Sequence, residues 1–341
     1  MRKFFLKALF FIIGIGFILN LMGTLADRVA PLEDWRVEYQ QRDANLRAKN
    51  ELIEAITLGN SHSDSIDYSV LGIEGQSLAY AAADLFEIEK TVLYMDGKLP
   101  NLNTAFITIS YYSFSRDNAK FESLRSRRVR FYSMVSVWSP IRGDLSNFLM
   151  GKLEAYTHVM SVVRSDSWKG VWLGLLTNAP PTNPFPYDGT RTTSAWGKCF
   201  HYTAEQLDAH AWEIAGRNVS SSIQMANAHP GLEQDSFDAL ARTIERLQSR
   251  GVRVVLYTPA YYEKYNTYFA EGGSYMIDHM RLAVGDLQET YGVEYYDFSN
   301  DPELTTHPEL FYNSDHLSEC GQKVISAKLL ERIGEKSQLD K

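Results

Sequence analysis

A short apolar run that ends in a glycine-polar-serine turn is the most constraining feature of this chain. Residues 56–58 read Ile-Thr-Leu, and residues 59–63 read Gly-Asn-Ser-His-Ser. This pattern predicts a buried strand that ends in a tight turn and presents Ser61 at the strand's carboxyl end. Ligands of open α/β sheets bind outside those ends. Ser61 is therefore a candidate nucleophile, which requires a base, a residue that orients the base, and donors for an oxyanion.

Apolar segments alternate with helical patterns along most of the chain. The sequence predicts strands at 53–58, 68–73, 104–110, 252–259 and 293–298, and helices at 76–95, 204–215, 232–250, 276–291 and 321–333. Residues 311–316 are predicted to form a loop. This alternation predicts an α/β fold with three α/β/α layers and a mainly parallel five-stranded sheet.

Two further motifs accompany the serine turn. Residues 72–77 read Gly-Ile-Glu-Gly-Gln-Ser, and residues 313–317 read Asn-Ser-Asp-His-Leu. In this order, the three motifs resemble those of the SGNH (GDSL-type) hydrolase superfamily, over about residues 57–333. The resemblance implies an SGNH/flavodoxin-like fold and acyl-ester chemistry on a serine.

The resemblance also implies roles for single residues. Ser61 would be the nucleophile and His316 its base, while Gly75 and Ser61 would give main-chain N–H groups to the oxyanion hole. An imidazole suits the base because its pKa lies near neutrality, so it can take the serine proton and return it. His307 is the fallback base. His62 is interpreted as a residue that lines the site or supports the fold.

The residue that orients the base stays open between two candidates. In much of the superfamily an aspartate precedes the histidine by three positions, where this chain has Asn313. Asp315 lies directly before His316 and could carry the charge, and a Ser–His dyad is a third alternative. The asparagine that the superfamily places after its third strand is also absent, because residues 110–113 read Ser-Tyr-Tyr-Ser.

The amino-terminal segment predicts a membrane anchor. Residues 1–7 carry basic side chains, and residues 8–25 are apolar except for Asn20 and Thr24. The length suits a spanning helix, and the preceding charge favours a cytoplasmic amino terminus with an exported remainder. A cleaved signal peptide is the alternative. We therefore predict a stub and transmembrane signal-anchor at 1–26, a stalk or first helix at 27–52, and a domain at 53–341 with a cap-like insertion at about 117–202.

Composition narrows the classes of partner and cofactor. The formal net charge is −8, so no general basic patch indicates nucleic acid. The sequence lacks a His-Glu-x-x-His motif, a paired-cysteine motif and a dinucleotide fingerprint, so we expect neither a metal nor an organic cofactor. Cys199 and Cys320 are the two cysteines; an exported chain permits a disulfide between them, whereas a small buried residue is the simpler interpretation of Cys320.

Together, the resemblance and the predicted anchor imply an exported serine esterase or O-acyltransferase, similar to bacterial proteins that modify exopolysaccharide or cell-wall polymers. It would be held in a bacterial inner membrane, with its domain on the periplasmic side. It would act on acyl esters, of acetate above all, in a surface or extracellular polysaccharide. The expected partners are the glycan, an acyl donor, the membrane and a membrane-bound acyl-transfer protein. The alternative is a catalytically inactive glycan-binding or assembly subunit with the same fold.

Overall fold

A computed structural model describes residues 45–80, 82–120 and 202–339, together with Cys199 and scattered positions within 4–21 and 145–149. The chain divides into two compact units, Met1–Val37 with Glu122–Pro186, and Glu38–Phe121 with Tyr187–Lys341. The second unit contains every strand named below. Most of the predicted anchor, stalk and cap-like insertion lies outside the described residues. Within the described part of the chain, no helix is both long and apolar enough to cross a membrane.

The second unit is built on one parallel sheet of five strands. They are β1 (Ala55–Leu58), β2 (Gly75–Ser77), β3 (Thr104–Thr108), β4 (Arg253–Thr258) and β5 (Glu294–Asp297). Their order is β2-β1-β3-β4-β5, and all neighbours pair in parallel. The predicted five-stranded parallel sheet is confirmed. This order reverses direction between β1 and β3, and such switch points are where doubly wound sheets bind ligands.

Helices connect the strands and cover the sheet. They are α1 (Tyr68–Leu71), α2 (Leu85–Met95), α3 (Ala204–Ala228), α4 (Leu232–Gln248), α5 (Glu263–Tyr291), α6 (Pro302–Thr305) and α7 (Glu319–Leu339). α1 packs against α7, whereas α2 packs against α4 and α3 against α5. The grouping is consistent with the predicted three-layer α/β/α arrangement. β1, β3 and β4 are almost entirely buried, as parallel strands covered on both faces are.

The second predicted strand is wrong. Residues 68–73 form α1 and its cap instead, because the Asp67 carboxylate accepts from the Ser69 N–H at 3.0 Å and Gly72 ends the helix with φ of +67°. The strand beside β1 is Gly75–Ser77, only three residues long. The predicted loop at 311–316 is also more regular, because β6 (Phe311–Asn313) and β7 (His316–Leu317) form a small antiparallel hairpin there.

A disulfide joins Cys199 to Cys320 across 121 residues, with Cα atoms 5.1 Å apart. Of the two alternatives that the sequence leaves open for these cysteines, the structure contains the disulfide. Cys320 lies in the first turn of α7, directly after the hairpin. The disulfide thus links the segment next to His316 to a part of the same unit that is 121 residues away in the sequence.

Candidate active site

The turn after β1 presents Ser61 at the carboxyl edge of the sheet. Gly59 has φ of +142°, and a Cβ at this position would collide with the Ser63 side chain, so the turn requires glycine. Asn60 caps the short turn Ser61–Ser63 by accepting from the His62 N–H at 3.0 Å. Ser61 is half-buried, which leaves its hydroxyl within reach of a substrate.

The hairpin at the other end of the chain brings His316 to this turn. His316 Nε2 lies 2.8 Å from Ser61 Oγ, which is the hydrogen-bond distance that a nucleophile and its base require. The hairpin is fixed from two sides. The Tyr262 N–H, after β4, donates to the Ser314 carbonyl at 3.0 Å, and His210 Nδ1, on α3, lies 2.8 Å from Ser314 Oγ.

Both candidate orienting residues contact the same nitrogen of the His316 ring. Asn313 Oδ1 lies 2.9 Å from Nδ1, and Asp315 Oδ1 lies 3.0 Å from it. The Asp315 side chain is 7% exposed. Burial acts to raise the pKa of this carboxyl, but the charge and hydrogen bonds of His316 and His62 outweigh it and hold the pKa well below its usual value. Asp315 is thus the charged residue of the pair.

His62 belongs to the same cluster, although its sequence position beside Ser61 suggested only a lining or structural role. Its Nε2 lies 3.2 Å from Asp315 Oδ2, and its Nδ1 lies 2.8 Å from Ser110 Oγ. Burial lowers the pKa of His62 below 6.5, which favours the neutral ring. The hydroxyl of Tyr261 is 3.4 Å from His62 Nδ1, and burial raises its pKa well above 10.

Ser110 and Tyr261 are members of the site for which the sequence predicted a place but no partner. Ser110 belongs to the segment in which a Ser or Tyr hydroxyl could replace the superfamily's asparagine, and Tyr261 belongs to the end of the fourth predicted strand. Ser110 follows β3 and Tyr261 follows β4, so both lie at the same sheet edge as Ser61. Their position at strand ends was the available signal. Ser110 Oγ also accepts from Asn60 Nδ2 at 3.0 Å, which ties the end of β3 to the serine turn.

The prediction that Gly75 donates to the oxyanion is wrong. Gly75 pairs with Ala55 at the amino end of β1, about 10 Å of strand from the end that carries Ser61. A Cβ on Gly75 would collide with the Tyr68 ring. This glycine therefore permits α1 to pack closely on the sheet.

His307, the fallback base, is not part of the cluster. Its side chain is 51% exposed, and its Nδ1 pairs with the Glu309 carboxylate at 3.1 Å. The histidine that the structure brings to Ser61 is His316.

The cluster could also hold a metal ion. The ligand atoms of His62, Asp315 and His316 all lie within 4.8 Å of one another. Two imidazoles and a carboxylate form a donor set that zinc accepts. Among the described residues, however, each of the three side chains already has a hydrogen-bond partner within the cluster.

No protein-family model matches the chain, and no curated protein is similar enough to match it.

Proposed function

We propose that the chain is a serine ester hydrolase or O-acyltransferase of the SGNH type. The observation that carries the proposal is the sequence of contacts from Ser61 Oγ to His316 Nε2 and from His316 Nδ1 to Asp315 Oδ1, at 2.8 and 3.0 Å. A nucleophile, a base and a buried charge in this order form the arrangement that activates serine in unrelated hydrolases.

The reaction would proceed in two steps. Ser61 Oγ attacks the acyl carbonyl carbon, and its proton passes to His316 Nε2. The tetrahedral intermediate then collapses, the bond to the alcohol oxygen breaks, and His316 returns the proton to that oxygen. Water or a sugar hydroxyl next attacks the acyl-Ser61 ester and gives its proton to His316 Nε2. The bond between the acyl carbon and Ser61 Oγ then breaks, His316 returns the proton to Ser61 Oγ, and the acid or the new sugar ester is released. Asp315 stabilises the imidazolium in both steps, because its carboxylate stays charged.

The oxyanion donors would come from main-chain N–H groups beside the serine turn. Besides the N–H of Ser61, we propose those of the segment that follows β2. This segment lies next to the turn, since the Tyr80 N–H donates to the Gly59 carbonyl at 3.3 Å. Ala82 has φ of +55°, a conformation that few residues other than glycine adopt and that is frequent at functional sites. Asn118 Nδ2 fixes the Ala82 carbonyl at 2.9 Å.

Small acyl groups such as acetyl are the proposed cargo. This choice of acyl group follows from the resemblance. The cavity beside Asn60, lined by Ala83, Thr108, Tyr112 and Arg116, has a volume of about 10 Å³, which is room for one water. The glycan substrate, the acyl donor and a membrane-bound transfer partner follow from the resemblance. They remain part of the proposal.

The proposed location is the periplasmic side of a bacterial inner membrane. The basic start and the apolar residues 8–25 support an uncleaved anchor. The Cys199–Cys320 disulfide supports an oxidising compartment, because disulfides persist mainly in exported proteins. Fractionation of cells that express the full chain tests this. The protein should stay with the membrane after high-salt washing, whereas a soluble protein that begins after Ala26 would contradict the anchor.

A second candidate function is a catalytically inactive glycan-binding or assembly subunit. Two sequence departures favour it, namely Asn313 in place of aspartate and the lack of asparagine within residues 110–113. An acyl-ester assay separates the two functions. We expect the purified full chain to release acetate from acetylated sugars or from 4-nitrophenyl acetate, and Ser61→Ala to abolish release. Equal rates in both proteins would support the binding function, since the residual hydrolysis would not need Ser61.

A further inference from the structure

His62 is a buried titratable side chain that the mechanism above leaves without a role. Its side chain is only 1% exposed, and each ring nitrogen has a partner. Nε2 lies 3.2 Å from Asp315 Oδ2, on the carboxylate oxygen that does not face His316. Nδ1 lies 2.8 Å from Ser110 Oγ. Asp315 is therefore shared between two histidine rings, one on each oxygen.

The chemistry of these partners fixes the direction of the hydrogen bonds to Asp315. A charged carboxylate only accepts, so His62 Nε2 and His316 Nδ1 must both carry protons. A neutral His62 that is protonated on Nε2 accepts at Nδ1, so the Ser110 hydroxyl donates there. Ser110 Oγ in turn accepts from Asn60 Nδ2 at 3.0 Å. The bonds then run in one consistent direction from Asn60 to the Asp315 carboxylate.

We propose that His62 is a positioning residue, which holds the Asp315 carboxylate against His316 through the hydrogen bond from Nε2 to Oδ2. Ser110 and Asn60 hold His62 in the tautomer that this bond requires. The inference rests on the proposed function, because the reactivity of Ser61 is what the positioning supports. His62 and His316 thus contact opposite oxygens of Asp315, and the contact with His62 fixes the orientation of the carboxylate.

The charged and titratable groups around His62 favour its neutral form at neutral pH. Asp315 attracts a second proton, whereas burial, the His316 ring at 4.8 Å between centroids and the charge of Arg116 all oppose it. Tyr112 and Tyr261 complete the surroundings, with ring centroids 6.0 and 5.3 Å from that of His62. Burial raises the pKa of both hydroxyls, so they add no charge.

Two substitutions at residue 62 separate positioning from packing. His62→Phe keeps a ring but removes both nitrogens, whereas His62→Gln keeps an N–H donor near the place of Nε2. In the full chain, with 4-nitrophenyl acetate, we expect His62→Phe to lower kcat roughly 10- to 100-fold with KM changed less than about 2-fold, the loss of a hydrogen bond to a charged group. His62→Gln should recover most of kcat. The exposed His307→Gln is the control and should match the wild type.

A third variant, Ser110→Ala, tests the proposal if His62→Phe does not fold. Ser110→Ala leaves the ring in place and removes the proton that holds its tautomer, so kcat should fall roughly 2- to 10-fold, the effect of one neutral hydrogen bond. Thermal midpoints are measured alongside. Equal losses of kcat in His62→Phe and His62→Gln that parallel equal losses of thermal midpoint would show a packing role only, and full kcat in His62→Phe would overturn the proposal.

Two further measurements keep this inference separate from the proposed function. Loss of activity in EDTA that Zn²⁺ restores would make Asp315 a metal ligand and overturn the positioning role. If the wild type neither hydrolyses esters nor reacts at Ser61, the proposed function fails, but ¹⁵N NMR of the histidine rings still tests the positioning. At pH 7.5 we expect His62 to be neutral with its proton on Nε2. A neutral ring with its proton on Nδ1 would overturn the proposal, because Nε2 could then not donate to Asp315.

Discussion

Replacing Asp315 by asparagine removes the negative charge of the site while it keeps the size of the side chain. The carboxylate accepts from His316 Nδ1 at 3.0 Å and from His62 Nε2 at 3.2 Å, and its side chain is 7% exposed. An amide has one acceptor oxygen and one donor nitrogen. One of the two ring N–H groups would then face an NH₂ group, so that ring must lose its bond or change its tautomer.

The size of the effect follows from these contacts. Losing a hydrogen bond to a charged group costs about 1.5–3 kcal/mol, which is roughly 10- to 150-fold in rate. A base in the wrong tautomer raises the loss to about 10⁴-fold in a Ser-His-Asp protease. We therefore expect Asp315→Asn to lower kcat by about 10²- to 10⁴-fold. Asn313→Ala removes a neutral acceptor 2.9 Å from the same ring, so we expect roughly 2- to 13-fold.

The assay is ester hydrolysis by the full chain, with circular dichroism as a check on folding. A larger loss in Asn313→Ala than in Asp315→Asn would refute the assignment of the charge to Asp315 and make Asn313 the orienting residue. Wild-type kcat in Asp315→Asn would show that a Ser–His dyad is sufficient.

Three further predictions concern Gly75, the disulfide and the titration of His62. Gly75→Ala should lower the free energy of unfolding by about 1–3 kcal/mol, because its Cβ collides with Tyr68, yet leave kcat per folded molecule unchanged; a selective loss of kcat would return Gly75 to the oxyanion hole. Reducing the Cys199–Cys320 disulfide should lower that free energy by about 2–5 kcal/mol in urea titrations, and reductant should have no effect on Cys320→Ser. The pKa of His62 is below 6.5 in the folded protein, so the unfolded chain binds a proton at this residue first, and the free energy of unfolding falls as the pH falls below 6.5. His62→Gln should make this fall less steep. His210→Gln should act in the same direction, because the pKa of His210 is lowered too.

The sheet could be predicted from sequence because four of its strands carry their own signal. β1, β3, β4 and β5 are apolar or aromatic segments bounded by turns, and they fall within the predicted ranges. β2 carries no such signal, since it reads Gly-Gln-Ser and is a strand only through its pairing with β1. The apolar residues just before it were assigned to the strand instead, although Asp67 and Gly72 cap them as a helix.

The residues of the candidate site that lie in local motifs could be predicted from sequence, whereas the contacts between residues far apart in the chain could not. Ser61 and His316 lie in recognisable turns, and parallel strands bring such turns to one edge. A strand at 68–73 would place Gly75 at the carboxyl edge of the sheet, whereas Gly75 begins β2 and lies at the amino edge. The pairs His62–Asp315 and Cys199–Cys320 are separated by 253 and 121 residues. No local pattern records either pair, because each depends on how the hairpin docks.

Covalent labelling of Ser61 tests the central claim most directly. The full chain is treated with a fluorophosphonate, which reacts with activated serines, and the modified peptide is identified by mass spectrometry. The account predicts one adduct on Ser61, its absence in Ser61→Ala and a rate at least about 100-fold lower in His316→Ala, because the unassisted hydroxyl is a weak nucleophile. An unlabelled Ser61, or an equal rate of labelling in His316→Ala, would contradict it.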